Sequence, residues 1–346
     1  MVEWKECLLG DLITFQRGYD LPKSKMSGNG YPVVGSNGII GFHDEYTTEY
    51  PSITVGRSGN VGKPYIVYGQ SWSHNTSLYI KDFRDSDPVF IYYFLQTLDL
   101  GRYSGGSAVP TLNRNHIHML NVRVPTDVST QKTIANILKV LDDKINKNNK
   151  INNNLEQLAA LLFEENYSNN NYNFAALETV ATIKYGKGLP KANLTSVGFP
   201  VFGGNGVIGK YSQFMYDKPQ VLVSCRGAAS GNILESYPYS YITNNSLVLE
   251  WNDYRYYEFY KQFLFANPLH SYKTGSAQPQ ITIDNIRNVL IPYPEYDDVR
   301  ELCSNLNSIY DLHYKNLVEN NKLVALRDTL LPKLMSGEIN VSNIDL

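Results

Sequence analysis

The chain has 346 residues, 42% hydrophobic and 18% charged, a composition that suits a globular protein of two or three domains, each with its own core. A formal net charge of −2 excludes a general excess of Lys and Arg along the chain, so any hold on nucleic acid must come from local patches. Acidic residues in the opening Met1–Glu6, no apolar run near ~18 residues, and three scattered cysteines (Cys7, Cys225, Cys303) argue against a secretory leader, a membrane span and a disulfide or zinc framework; they predict a cytoplasmic protein.

In chain order, the first 128 residues read as short strands with turn chemistry between them: Ser52–Val55, Tyr65–Tyr68 and Ser77–Ile80 are β-rich. The amphipathic stretch Val89–Leu98 reads as a helix, and Pro125 closes the segment as an α+β module. The period then changes to seven. Ile134, Leu141, Asn148, Leu155 and Leu162 form one series, with Leu138, Ile145, Ile151 and Leu158 between them, as in a coiled coil. Asn148 falls in the predicted seam, where a polar residue can fix register.

A second round follows. Val221–Val223, Ser246–Leu249 and Val289–Ile291 read as strands, Tyr256–Phe265 as a helix, and Pro294 closes the module. Cys303, Tyr310, Leu317, Val324 and Leu331 then continue a heptad series flanked by Leu302, Ile309, Leu323 and Leu330. The expected boundaries are 1–128 and 167–297 for the modules, 129–166 and 298–346 for the helical regions.

The two rounds are copies. Tyr31-Pro-Val-Val-Gly-Ser-Asn-Gly-Ile-Ile-Gly41 and Phe199-Pro-Val-Phe-Gly-Gly-Asn-Gly-Val-Ile-Gly209 agree at seven of eleven positions, at an offset of 168. The same offset pairs Gly18 with Gly186 and Leu21-Pro22-Lys23 with Leu189-Pro190-Lys191. An offset of 169 then pairs Arg57 with Arg226, Asn75 with Asn244, Ser77-Leu78 with Ser246-Leu247, and Gly106-Ser107-Ala108 with Gly275-Ser276-Ala277. A duplication with module–helix–module–helix order predicts an antiparallel helix pair, and a helix of about 36 residues is roughly 54 Å long.

Several residues together carry a family resemblance. Lys273-Thr-Gly-Ser-Ala-Gln-Pro-Gln-Ile281, the Val289–Pro294 ending, Leu330-Leu-Pro-Lys-Leu-Met-Ser-Gly-Glu338 and Gly105-Gly-Ser-Ala-Val-Pro-Thr-Leu112 resemble type I restriction–modification specificity subunits, over nearly the whole chain. The resemblance implies two target-recognition domains, each reading one half of a split double-stranded DNA site, with the helices as a ruler between them. It implies two methyltransferase subunits docked on the helical regions and a nuclease–translocase subunit beside them. S-adenosylmethionine and ATP would belong to those partners, leaving this chain without a cofactor or a catalytic role.

The motifs agree. Gly204-Asn-Gly-Val-Ile-Gly209 has dinucleotide-fingerprint spacing, yet no helix pattern follows and Ser36 replaces its first glycine in the other copy. His116 and His118 straddle Ile117, as on one face of a strand, but no Cys, Asp or Glu groups with them as a metal site requires. No Gly-rich loop ending in Gly-Lys-Ser/Thr and no nuclease carboxylate cluster occurs. The alternatives left open are a self-contained methyltransferase or nuclease with an unfamiliar motif, and a tandem binding protein for something other than nucleic acid.

Candidate DNA-contacting residues are polar and lie in loops: Asn37, Arg57, His74, Asn75, Asn113 and Arg114 in copy one, with Asn205, Arg226, Thr243, Asn244, Gln278 and Gln280 in copy two. Arg can address guanine with two hydrogen bonds, and Asn or Gln can do so for adenine. For each, a turn-capping or surface role is the alternative. Two modules with different targets should differ where they read bases and agree where they grip phosphate. That filter assigns Arg57 and Arg226 to the backbone. It assigns reading to Ser73-His74 against Ile242-Thr243, Val109 and Thr111 against Gln278 and Gln280, and Asn113-Arg114 against Thr282-Ile283.

Overall fold

A computed structural model describes residues 2–105, 110–275 and 278–342. It divides into two compact units, residues 1–148 with 318–346, and residues 149–317. Each unit therefore holds one α+β module together with half of each long helix.

In the first unit, Thr14–Arg17, Ser77–Asp82, Ser52–Gly56 and Pro64–Val67 lie side by side in one antiparallel sheet. A second sheet is built on the hairpin Tyr31–Gly35 and Gly38–His43, with Trp72–Ser73 added in parallel. Trp4–Leu8 pairs with Asn121–Pro125, returning the chain to the foot of the module before the long helix starts. The second unit repeats this arrangement. Ala181–Tyr185, Ser246–Trp251, Val221–Ser224 and Ile233–Glu235 form its four-stranded sheet; Gly206–Tyr211, Phe199–Gly203 and Tyr241–Ile242 form its three-stranded one. Phe174–Ala176 pairs with Leu290–Pro292.

The strand and helix readings hold closely: the short helices run Pro88–Thr97 and Tyr257–Ala266. Asp87 begins the first of them, its carboxylate accepting from Phe90 N at 2.8 Å, with Pro88 at the first helical position where no donor is needed. Their apolar faces close the cores, through Phe90, Ile91 and Phe94 in one unit and Phe259, Tyr260 and Leu264 in the other, all buried.

The long helices are Val128–Asn169, 42 residues, and Tyr296–Ser336, 41 residues. Asp127 caps the first, accepting from Thr130 N at 2.9 Å. The Ser129 hydroxyl donates to the same carboxylate, and with the Thr130 amide it holds the carboxyl pKa down at about 2. Within each unit the helix halves run antiparallel. In the first, Arg327 donates to Asp142 at 2.7 Å and Asn148 donates to Glu319 at 2.7 Å and Asn320 at 2.9 Å. In the second, Asn316 donates to Asn152 at 2.8 Å, and Asn152 donates to the His313 carbonyl at 3.2 Å.

The seam differs from the sequence reading in one respect. Leu158 is 46% exposed, whereas Ala159 and Asn152 are buried. The inward pattern 148, 152, 155, 159 keeps the strict heptad that runs from Leu138 and Ile145 to Asn152 and Ala159, whereas the sequence reading stepped one residue short, to the apolar Ile151 and Leu158. Ile134 and Leu138 are buried, and Leu141, Leu155, Leu162, Tyr310, Leu317, Val324 and Leu331 are half-buried. Four asparagines thus line the seam where one was expected. Under the offset of 168, the pair 148–320 becomes 316–152, so both pairs descend from one ancestral contact.

Candidate nucleic-acid interface

The sheets end in turns, and in each module several turns meet at one end. In the first, the hairpin turn at Ser36-Asn37 needs Gly38 at φ +89°, a conformation open to glycine. The Ser36 amide donates to Thr76 Oγ1 at 3.3 Å, which ties that turn to the loop His74–Thr76. The Arg57 amide donates to the Thr76 carbonyl at 2.8 Å, and the Leu112 amide donates to the Arg57 carbonyl at 2.8 Å. Asn37, Arg57, His74, Asn75 and Thr111 therefore belong to one cluster of loops. Arg57 is half-buried and Asn37 exposed.

The second module repeats the cluster with different atoms. Ser224 Oγ donates to the Gly204 carbonyl, the Cys225 amide donates to the Asn245 carbonyl at 3.0 Å, and Arg226 is bridged to Gln280 across a short antiparallel contact. Tyr185, Arg226, Asn244, Gln280 and Thr282 line a depression of about 300 Å3. Arg226 and Gln280 in that lining are exposed, and so are Asn205 and Gln278 elsewhere in the loops.

Other predicted positions carry structural duties. Asn113 accepts from Asn115 N at 3.0 Å and caps the helix Arg114–His118; Thr282 caps the equivalent helix Ile283–Ile286. Their divergence exchanges one capping residue for another. Ser73 and Ile242 are fully buried, and Thr243 is 3% exposed, so these side chains face the core. His74 Nδ1 hydrogen-bonds Thr76 Oγ1 at 2.9 Å, and Asn75 donates to Asp20. Arg114 is exposed on its helix. Val109 lies outside the described residues.

His116 and His118 sit on that helix, not on a strand. His118 turns inward and accepts from Phe15 N at 3.0 Å, while burial pushes its pKa down; His116 is exposed. The pair does not converge, and among the described residues no group of three or more His, Cys, Asp or Glu could hold a metal ion. No helix among them is long and apolar enough to cross a membrane. The thiols of Cys225 and Cys303 are buried and Cys7 is half-buried; burial pushes Cys303 up to about 11.

A duplicated α+β module that gathers polar loops at one end, joined by paired long helices, defines a tandem recognition protein. Comparison with known proteins identifies the family. The model of the type I restriction modification DNA specificity domain matches residues 1–157 and again 169–311. The chain belongs to that family, as a non-catalytic specificity subunit of a type I restriction–modification system. It is 22% identical over 306 residues to the type I restriction enzyme MjaIX specificity subunit of Methanocaldococcus jannaschii, covering 74% of this chain and 70% of that one. The crystal structure of the type I restriction–modification S subunit from M. genitalium shares the fold, with a TM-score of 0.69, 18% identity and 96% of each chain covered.

Arg17 and Tyr19, and Tyr185 and Lys187, which the sequence reading did not single out, flank the paired glycines Gly18 and Gly186; all four are exposed, and Tyr19 and Lys187 are bridged to His74 and Thr243. The signal was present: identical glycines bracketed by unlike side chains.

Proposed function

We propose that each module reads one half of a split, asymmetric site on double-stranded DNA, and that the long helices set the gap between the halves. The recognition domains are residues 1–128 and 167–297; the helical regions 129–166 and 298–346 serve as ruler and as the docking surface for two methyltransferase subunits. Nuclease–translocase subunits join that assembly, S-adenosylmethionine and ATP are held by the partners, and the complex works in the cytoplasm.

The observation that carries this reading is the repeated loop cluster. Both modules gather the same turns around an Arg that follows a strand, yet residues in those turns differ, Val109 and Thr111 standing against Gln278 and Gln280. Shared backbone with unlike side chains is what two half-sites of different sequence require. Arg57 and Arg226, unchanged between modules, hold phosphate in this scheme. Asn37 and Asn205, Asn75 and Asn244, likewise unchanged, hold phosphate or the turn itself. Gln278 and Gln280, which stand where the first module has Val109 and Thr111, supply base-edge contacts.

The ruler is tested by lengthening it. Four residues inserted within 146–154, matched by four within 314–322 so that the buried asparagines keep partners, add about 6 Å of helix. The methylation profile of the assembled complex should show a gap one or two base pairs longer between unchanged half-sites. An active complex with an unaltered gap contradicts the ruler.

A further inference from the structure

We propose that the segments leaving the first sheet strand, Arg17-Gly18-Tyr19 in one module and Tyr185-Gly186-Lys187 in the other, are specificity elements that read bases beside the loops already described. This rests on the bipartite reading above.

The backbone of this segment is fixed identically in both modules. The Gly18 amide donates to the Ser77 carbonyl at 3.1 Å and the Tyr19 amide to the Ser73 carbonyl at 2.8 Å. In the second module, Gly186 donates to the Ser246 carbonyl at 3.1 Å and Lys187 to the Ile242 carbonyl at 2.9 Å. The glycine is needed for close approach. A Cβ on Gly18 would lie 2.2 Å from the His74 carbonyl oxygen, and one on Gly186 2.3 Å from that of Thr243. Neither distance leaves room for a side chain, so the strand exit lies flat on the loop that carries Asn75 or Asn244.

The side chains on either side of that glycine are free to differ, and they do. Arg17 and Tyr19 stand where Tyr185 and Lys187 stand in the copy, so the order of cation and aromatic ring is reversed. Tyr19 is 42% and Tyr185 44% exposed. Tyr185 lines the depression with Arg226, Asn244 and Gln280, the position a base-contacting group must take if those residues face DNA. Tyr19 is steadied by Tyr79, hydroxyl to hydroxyl at 3.3 Å, and by the edge of Trp72 at 6.0 Å between ring centroids. A ring so held is presented at low entropic cost, and its hydroxyl can both donate and accept. A fixed backbone with exchanged cation and phenol suits a reader whose target changed while its scaffold did not.

Specificity is tested in the full chain assembled with its methyltransferase subunits, using a library of duplexes randomised in both half-sites. Tyr185→Ala and Lys187→Ala should each relax the preference at one or two base pairs of one half-site, by roughly 5- to 150-fold, and leave the other half-site unchanged. Arg17→Ala and Tyr19→Ala should do the same to the opposite half. Lys187 is exposed, so Lys187→Ala gives a readout that misfolding does not confound; near-ultraviolet circular dichroism checks the tyrosine variants. Unchanged preferences, or a weakening spread evenly over all sequences, overturn the proposal. A wild-type complex that selects no two-part sequence defeats the underlying reading instead, so the two failures are distinguishable.

Discussion

In the first module the helix Pro88–Thr97 meets the long helices through Tyr93, whose hydroxyl donates to Asp142 at 2.7 Å while Arg327 donates to the same carboxylate at 2.7 Å. In the second, the corresponding helix Tyr257–Ala266 carries Lys261 into full burial. Its ammonium lies 2.9 Å from Glu235, 2.6 Å from Glu258 and 3.2 Å from the centre of the Tyr310 ring. The approach to Glu258 Oε2 is a charge contact without hydrogen-bond alignment, since that oxygen has no hydrogen-bond partner. At an offset of 169 the first module has Ile66, Val89 and Tyr92 where the second has Glu235, Glu258 and Lys261, and at the helices' offset of 168 Asp142 stands where Tyr310 does. After duplication the backbone was kept, and the junction of module and helix was rebuilt from an apolar cluster flanked by one ion pair into a buried ionic one. Charge burial of that kind costs desolvation that only complete pairing offsets.

The largest expected effect follows from breaking that pairing. Lys261→Met leaves the buried Glu258 and the half-buried Glu235 without their cation and should destabilise the protein by about 3–5 kcal/mol in urea unfolding. Importing the first module's apolar set, with Glu235→Ile, Glu258→Val and Lys261→Tyr together, should recover or exceed wild-type stability. A triple variant as damaged as Lys261→Met would show that the two junctions are not interchangeable.

A smaller effect separates the modules by pH. Burial pushes the Glu258 carboxyl up to about 7 despite the neighbouring lysine. The unfolded carboxyl titrates near ~4.3. Between those values the folded state binds the extra proton, so the contribution is fully present below about pH 4 and is lost as pH rises through 7. Glu258→Gln should flatten that slope, and first-module variants should leave it intact. In the first unit, Asp142→Ala removes the acceptor of Tyr93 and Arg327 and should cost about 1–3 kcal/mol.

The smallest effect probes the helix seam. A double-mutant cycle between Asn152 and Asn316 should give a coupling of about 1 kcal/mol. A coupling near zero would mean that this contact adds nothing to pairing.

Much of this was legible in the sequence because duplication repeats what the backbone demands. Gly38 and Gly206, Gly18 and Gly186, and the arginines after each central strand stand out without any structure. The heptads gave both long helices and their pairing. What escaped was side-chain direction. Asn113 and Thr282 differ, which suggested readers, but both cap a helix, and a cap tolerates that exchange. Ser73 and Ile242 differ because one module fills that part of its core with hydroxyls: Thr48 Oγ1 lies 3.4 Å from Ser73 Oγ and 3.0 Å from Ser71 Oγ, which in turn lies 2.6 Å from Ser52 Oγ. The other module packs Phe202, Leu222 and Val248 there. Two modules diverge where buried side chains were exchanged as readily as where they read DNA, and only burial separates the two. Asn152 and Ala159 escaped for a related reason, since a polar and a small residue give no hydrophobic signal at seam positions.

The most direct measurement is the methylation profile of DNA exposed to the complete complex with its methyltransferase subunits, read at single-base resolution. Two modules of shared scaffold and unlike loops predict two short blocks of specified bases, different from one another and separated by a gap of fixed length and free sequence. One continuous palindromic site would contradict that prediction.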